Sequence, residues 1–150
     1  MQFRSVALFL SALPAALANL PPTLELLAFQ DGQRIGCVNG YGRFITNKLA
    51  CCPFRAQTID ASSDSSNLWA VGYGTCSAEP GTLECYQPEG EPSAFTLNGT
   101  DLELVGTVTG IGTSFSANSK PDPEDRKGVE TIVGDGGSEV FSLQVHAVSG

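Results

Sequence analysis

Apolar residues recur along this chain in short alternating runs rather than in helical stripes. After Pro22 no long segment keeps the 3.6-residue apolar period of an amphipathic helix. Alternating or β-branched runs are instead separated by Gly, Pro, Asn, Asp and Ser, which is typical of strands joined by turns. The pattern predicts strands at residues 23–29, 36–46, 54–61, 67–72, 82–86, 93–97, 101–109, 113–117, 129–133 and 139–148.

Turns and loops between these runs indicate the fold class. Asn98-Gly99 lies between two apolar runs and predicts a tight hairpin turn. Residues 19–22, 79–92 and 119–128 are polar or rich in Gly and Pro, and they predict loops. Short strands at this spacing predict an all-β protein, a small single-domain barrel or sandwich of about eight to ten strands held by disulfides.

The last predicted strand shows which of its faces would turn to the core. Side chains alternate across a strand, so one face would carry Phe141, Leu143, Val145 and Ala147. His146 would lie on the opposite face, at the surface or at an edge. No triad-like spacing accompanies it, and we expect it to have no catalytic role.

The N-terminus has the order of a secretory signal peptide. Arg4 precedes an apolar run at residues 5–13, Pro14 breaks the run, and Ala16 and Ala18 supply the small residues of a cleavage site. The run is too short to cross ~30 Å of hydrocarbon. We therefore expect residues 1–18 to be a signal peptide, 19–35 a lead-in with the first strand, and 36–150 one β domain, secreted to the extracellular space or the cell wall.

Composition and charge exclude several classes of function. The 150 residues include 8 Lys+Arg against 16 Asp+Glu, a formal net charge of −8. Because the phosphate backbone needs a basic surface, we expect no nucleic-acid partner. The one histidine excludes a two-histidine ribonuclease site and a multi-histidine zinc site. We expect the protein to have no enzymatic activity and no catalytic residue. We also expect it to bind no metal ion and no cofactor, and to have no membrane partner.

The five cysteines predict disulfides in a secreted chain. No C-x-x-C zinc pattern is present, and an odd number leaves at least one thiol free or bound to another chain. Cys51 and Cys52 are adjacent, so one of them is expected to pair with a distant partner. Four cysteines allow three pairings, and spacing alone does not choose among them.

Several short motifs occur in an order that is similar to one known domain. They are Gly36-Cys37-Val38, Gly42-Arg43-Phe44-Ile45-Thr46, Cys51-Cys52-Pro53-Phe54, Gly74-Thr75-Cys76, Leu83-Glu84-Cys85 and Thr113-Ser114-Phe115-Ser116-Ala117. With these motifs, residues 36–148 resemble the C-terminal, non-catalytic domain of fungal secreted T2-type ribonucleases. The histidine motifs of that family's catalytic domain, similar to H-G-L-W-P and H-E-W-x-K-H-G, do not occur. The resemblance implies a stand-alone accessory domain without ribonuclease chemistry.

The resemblance also implies a disulfide pairing. Phe54 follows Cys51 by three residues, as in the family, so Cys51 takes the family position. The implied pairs are Cys37–Cys51 and Cys76–Cys85. Cys52 is then a free or intermolecular thiol, which could link a dimer. A role in binding cell-wall carbohydrate is the function that the resemblance suggests.

Aromatic residues are the best candidates for recognition, because rings stack on the apolar faces of sugars. Tyr41 and Tyr73 stand beside glycines, which favours exposed turns. Trp69, between Leu68 and Val71, is also a candidate, although its apolar neighbours favour packing in the core. Tyr86 belongs to the same set of aromatics.

Asn98-Gly99-Thr100 is a glycosylation sequon in a predicted turn. We expect Asn98 to carry a glycan, which would make the protein a glycoprotein.

Two classes of function follow. The first is a secreted, non-catalytic binding module for a cell-wall polysaccharide or another extracellular partner. The second is a small secreted effector or inhibitor that acts on a protein target. A third class, a ribonuclease T2-related or other hydrolase with an unrecognised site, has the least support from the sequence.

Overall fold

The computed structural model describes residues 19–59, 64–106 and 112–149. The predicted signal peptide and the strand ends at residues 60–61 and 107–109 lie outside them. The described residues form eleven strands and no helix, and accordingly no helix that could span a membrane. The strands are β1 (Thr23–Gln30), β2 (Gln33–Val38), β3 (Phe44–Ile45), β4 (Phe54–Thr58), β5 (Ser66–Ala70), β6 (Gly74–Thr75), β7 (Phe95–Asn98), β8 (Asp101–Leu104), β9 (Phe115–Ala117), β10 (Ile132–Val133) and β11 (Glu139–Ala147).

Six of these strands close into an antiparallel barrel, in the order β1-β4-β5-β7-β8-β11 and back to β1. The closing pair is β11 with β1, in register from Leu24 opposite Ala147 to Phe29 opposite Ser142. Closure removes the exposed edges that an open sheet would present. The all-β prediction is confirmed, and of the two architectures left open the chain forms the barrel.

The barrel interior is filled by every second residue of its strands. On β1, for example, Leu24, Leu26 and Ala28 are fully buried. The alternation predicted for the last strand holds for Phe141 and Leu143, which are buried, while Ala147 is exposed near the end of the strand. Each fully buried Leu or Phe contributes roughly 1.5–3 kcal/mol, so this interior is the main source of stability.

The remaining strands extend the sheet beyond the barrel. β2 and β3 continue from the second half of β1, β9 and β10 continue from β11, and the short β6 pairs with β5. Leu27, Cys37 and Ile45 form a small second core between β1 and β3. These outer strands carry the turns that form the candidate site.

The disulfide pairing implied by the resemblance is confirmed. Cys37 is bonded to Cys51 and Cys76 to Cys85. Cys52 is a free thiol with only 6% of its surface exposed. A bond from Cys52 to a second chain would require this thiol to leave its buried position.

Most predicted strands differ from the structure in their end residues, β6 was not predicted, and two predicted strands are not continuous strands at all. The run at 36–46 is divided into β2 and β3 by a turn, where Gly42 has a φ of +90° and a β-carbon would lie 2.7 Å from the Leu83 carbonyl oxygen. The run at 82–86 forms only isolated bridges, from Thr82 to Ile132 and from Glu84 to Ser77. The predicted hairpin is confirmed, but its two loop residues are Gly99 and Thr100, because Asn98 is the last residue of β7 and lies opposite Asp101.

Candidate functional site

All three tyrosines of the chain meet in one cluster on the surface. Tyr41 lies in the turn between β2 and β3, Tyr73 in the turn between β5 and β6, and Tyr86 directly follows Cys85. The ring centroids of Tyr41 and Tyr73 are 5.1 Å apart, those of Tyr41 and Tyr86 5.7 Å, and those of Tyr73 and Tyr86 6.2 Å, all in edge-to-face geometry. Their exposed fractions are 40%, 43% and 49% for Tyr41, Tyr73 and Tyr86. We call these three residues the tyrosine cluster.

A buried asparagine fixes the turn that carries Tyr41. The side-chain oxygen of Asn39 accepts hydrogen bonds from the backbone N–H groups of Tyr41 and Arg43, at 3.0 Å each. Its amide nitrogen donates to the carbonyl oxygens of Arg126 at 2.9 Å and Lys127 at 3.0 Å. One side chain therefore ties the turn to a loop almost ninety residues later in the chain.

Tyr73 and Tyr86 are held together by the Cys76–Cys85 disulfide, which lies between them in the chain. The N–H of Tyr73 donates to the carbonyl of Ala70 at 2.9 Å, closing the turn after β5. The N–H of Cys85 donates to the carbonyl of Tyr41 at 3.0 Å. These bonds leave the cluster little backbone freedom.

A cleft of about 270 Å³ opens beside the cluster. We call it the tyrosine cleft, and its lining includes Tyr41, Tyr86, Arg43, Glu84, Glu89 and Glu130. The guanidinium carbon of Arg43 lies 5.7 Å from the centroid of the Tyr41 ring. Across the described residues, Arg43 and the three glutamates enter no ion pair, so their charges remain available to a ligand.

The geometry of the cluster decides what it can bind. An aromatic cage for a quaternary ammonium group needs an empty space between the rings. Here the rings are in contact with one another, so they leave no such space. Each tyrosine nevertheless remains 40–49% exposed, and exposed tyrosine rings suit the apolar faces and hydroxyl groups of a sugar.

His146 lies away from the tyrosine cleft and is not among the residues that line it. His146 is on the outer face of β11, where its Nδ1 lies 3.9 Å from Glu25 Oε1, and its side chain is largely exposed. No group of three or more His, Cys, Asp or Glu side chains in the described ranges could hold a metal ion.

Trp69 is not in the core, so the prediction of core packing that was based on its apolar neighbours is wrong. The inward positions of β5 are taken by Leu68 and Ala70, and the intervening Trp69 faces outward with 51% of its surface exposed. It lines a different cleft from the tyrosine cluster, together with Arg55 and Val71. Strict two-residue alternation along β5 would have predicted this orientation.

Other residues of the site carried weaker signals in the sequence. Asn39 stands beside Gly40, a composition typical of turns, but nothing local shows that its amide reaches residues 126 and 127. Arg43, Glu84, Glu89 and Glu130 look like ordinary surface charges until the fold brings them to one cleft.

Comparison with protein-family models, with curated proteins and with solved structures finds no match. The resemblance to the ribonuclease accessory domain therefore stays a prediction.

Proposed function

We propose that this protein is a secreted, non-catalytic binding module, and that the tyrosine cluster and its cleft bind a cell-wall polysaccharide. The observation that carries the proposal is the cluster itself. Three chain segments bring three half-exposed aromatic rings into edge-to-face contact, and two of these rings, Tyr41 and Tyr86, line a charged cleft. Rings left in water in this way are typical of recognition surfaces, because a ligand can bury them.

Rigidity of the site favours the same function. A surface that is already ordered loses little conformational entropy when a ligand binds, and affinity rises accordingly. The four hydrogen bonds of Asn39 and the Cys76–Cys85 disulfide provide that order. The two disulfides also fit the oxidising compartments that a secreted chain passes through.

The test is depletion of the oxidised protein, residues 19–150, from solution by insoluble chitin, β-glucan, cellulose, mannan and calcium-gelled polygalacturonate. We expect one polymer to deplete it. Tyr41→Ala, Tyr73→Ala and Tyr86→Ala should each weaken that binding by about tenfold, the effect of losing one aromatic contact of roughly 1.4 kcal/mol.

Leu49→Ala is the matched control, since Leu49 is an exposed apolar side chain outside the cluster. It should bind as the unmodified protein does. Depletion that is equal in all four variants, or no depletion by any polymer while the protein remains folded, would contradict the proposal. The second result would favour a protein partner.

A further inference from the structure

A second exposed surface adjoins the tyrosine cluster. Arg55, Trp69, Val71 and Gly72 line a cleft of about 250 Å³. Val71 also lines a cleft of about 330 Å³, whose other walls include Tyr73 and Arg126. The two clefts adjoin at Val71, and the second reaches Tyr73, a member of the tyrosine cluster. We treat the two adjoining clefts as one surface. We call it the basic groove.

The net charge of this groove is opposite to that of the tyrosine cleft, which is lined by Arg43 and three glutamates. Its charged lining residues are Arg55 and Arg126, and no carboxylate lines it within the described residues. Neither arginine enters an ion pair in that part of the chain. A third arginine, Arg34, donates from Nη2 to the sulfur of Cys51 at 3.2 Å, and Cys51 belongs to the groove wall. In a chain with twice as many acidic as basic residues, this segregation points to a ligand with negative charge.

Arg55 and Trp69 have the geometry to contact the same ligand unit. They are directly opposite each other on the paired strands β4 and β5, and both are exposed on the outer face of the barrel. Opposite residues on one face have β-carbons about 4.5–5.5 Å apart. A ring and a guanidinium at this spacing can hold the apolar face and the carboxylate of one sugar.

The carboxylate on the adjacent strand does not neutralise this pair. Glu25 lies on β1, next to β4, but its carboxylate is 3.9 Å from His146 on β11. β11 is on the opposite side of β1 from Arg55. Glu25 and Arg55 form no ion pair among the described residues, although Glu25 is close enough to help raise the pKa of Cys52 in the groove wall.

We propose that the basic groove binds the uronic acid units of a linear glycan. The apolar face of a uronate packs on Trp69, and its carboxylate pairs with Arg55, while Arg126 pairs with the carboxylate of another unit. Arginine suits this task because its planar guanidinium forms two parallel hydrogen bonds with a carboxylate. The inference rests on the proposed function, since the same glycan chain continues onto Tyr73 and the tyrosine cluster.

The experiment compares two polymers with one backbone, polygalacturonate and its fully methyl-esterified form, by isothermal titration calorimetry. Esterification removes the negative charge and keeps the sugar rings. We expect the acidic form to bind about tenfold more tightly, as one charge-assisted pair predicts. This preference should decrease at high salt, because added ions screen exposed charges.

Variants assign the preference to the groove. Arg55→Gln and Arg126→Gln should each reduce the preference for the acidic form, and Trp69→Ala should weaken binding of both forms. Lys120→Gln is the matched control, because it removes a positive charge from a residue that lines neither cleft. Its preference should equal that of the unmodified protein.

Neutral β-glucan and chitin are included so that the two proposals can fail separately. Equal affinity for the acid and the ester, or a preference that both arginine variants retain, overturns the inference about the groove. Binding of a neutral polymer through the tyrosines, without binding of polygalacturonate, also overturns it and leaves the proposed function standing. Binding of none of the polymers contradicts both.

Discussion

The ring of Tyr73 lies against the α-carbon of Gly40, so closely that a β-carbon at position 40 would overlap the ring. Gly40 belongs to the turn that carries Tyr41, and Tyr73 belongs to the turn after β5. The contact therefore joins two of the three segments of the tyrosine cluster. Its close fit makes the position of the Tyr73 ring depend on the absence of a side chain at residue 40.

Gly40→Ala should displace Tyr73 and weaken polysaccharide binding about as much as Tyr73→Ala does. The measurement is depletion by the polymer that binds the unmodified protein, with thermal unfolding recorded alongside. Gly136→Ala is the control, because a β-carbon there meets nothing within 4 Å. Full binding by Gly40→Ala would show that the position of the Tyr73 ring does not matter.

Asn39→Ala should lower the free energy of unfolding by about 2–3 kcal/mol. The substitution removes four hydrogen bonds made by a buried side chain, and each such bond contributes about 0.5–1.5 kcal/mol to stability. Urea unfolding measures the loss. Asn118→Ala, at an exposed position, should change stability by less than about 0.5 kcal/mol. Similar values for the two variants would contradict a structural role for Asn39.

The buried thiol of Cys52 should make the folded protein less stable at alkaline pH. Burial raises the pKa of its thiol from 9.0 to about 11, so the folded protein holds this proton more tightly than the unfolded chain. The contribution of the protonated thiol to the free energy of unfolding is complete below pH 9. It is lost as the pH rises to about 11. The loss amounts to about 2 kcal/mol.

The measurement is the free energy of unfolding of the unmodified protein minus that of Cys52→Ala, followed from neutral pH to pH 11. The variant has no thiol to titrate, so the subtraction removes the contribution of lysines and tyrosines. We expect the difference to fall across this interval. A constant difference, or rapid reaction of the folded protein with a thiol reagent at neutral pH, would contradict the burial of Cys52.

Asn98 is exposed at the β7–β8 hairpin, where its sequon is accessible to modification. We expect protein secreted by a eukaryotic host to carry a glycan there, and Asn98→Gln to remove the mass that an endoglycosidase releases. Because Asn98 lines neither the tyrosine cleft nor the basic groove, polysaccharide binding should not change. An unmodified Asn98 would refute the predicted glycosylation, and weaker binding by the variant would place the hairpin in the site.

Local signals were sufficient for most of the strands and for the β7–β8 hairpin, but not for the turn at Gly42 or for residues 82–86. Alternation identified the last strand, and Asn-Gly identified the hairpin, because both depend on neighbouring residues. Barrel closure depends on the pairing of β1 with β11, which joins opposite ends of the domain. No local pattern contains that information, so the sequence left a barrel and a sandwich equally open.

In the candidate site, too, local features could be predicted from the sequence, whereas contacts between distant segments could not. Glycines beside Tyr41 and Tyr73 indicated exposed turns, and both rings are indeed half-exposed. Their contact with Tyr86 requires the Cys76–Cys85 bond and the barrel beneath it, which no spacing shows. The prediction that Trp69 packs in the core was wrong. Its apolar neighbours in the sequence favour burial, but the alternation of side chains along β5 turns Trp69 outward.

The most direct test of the account is a nuclear magnetic resonance titration of isotope-labelled residues 19–150 with soluble oligosaccharides of chitin, β-glucan, cellulose, mannan and polygalacturonate. The account predicts that one of them shifts the backbone amides of residues 39–43, 71–74 and 84–87 most strongly, since these segments carry the tyrosine cluster. Largest shifts elsewhere, for example in the β7–β8 hairpin, or no shifts with any oligosaccharide, would contradict the assignment of the cluster as a carbohydrate-binding surface.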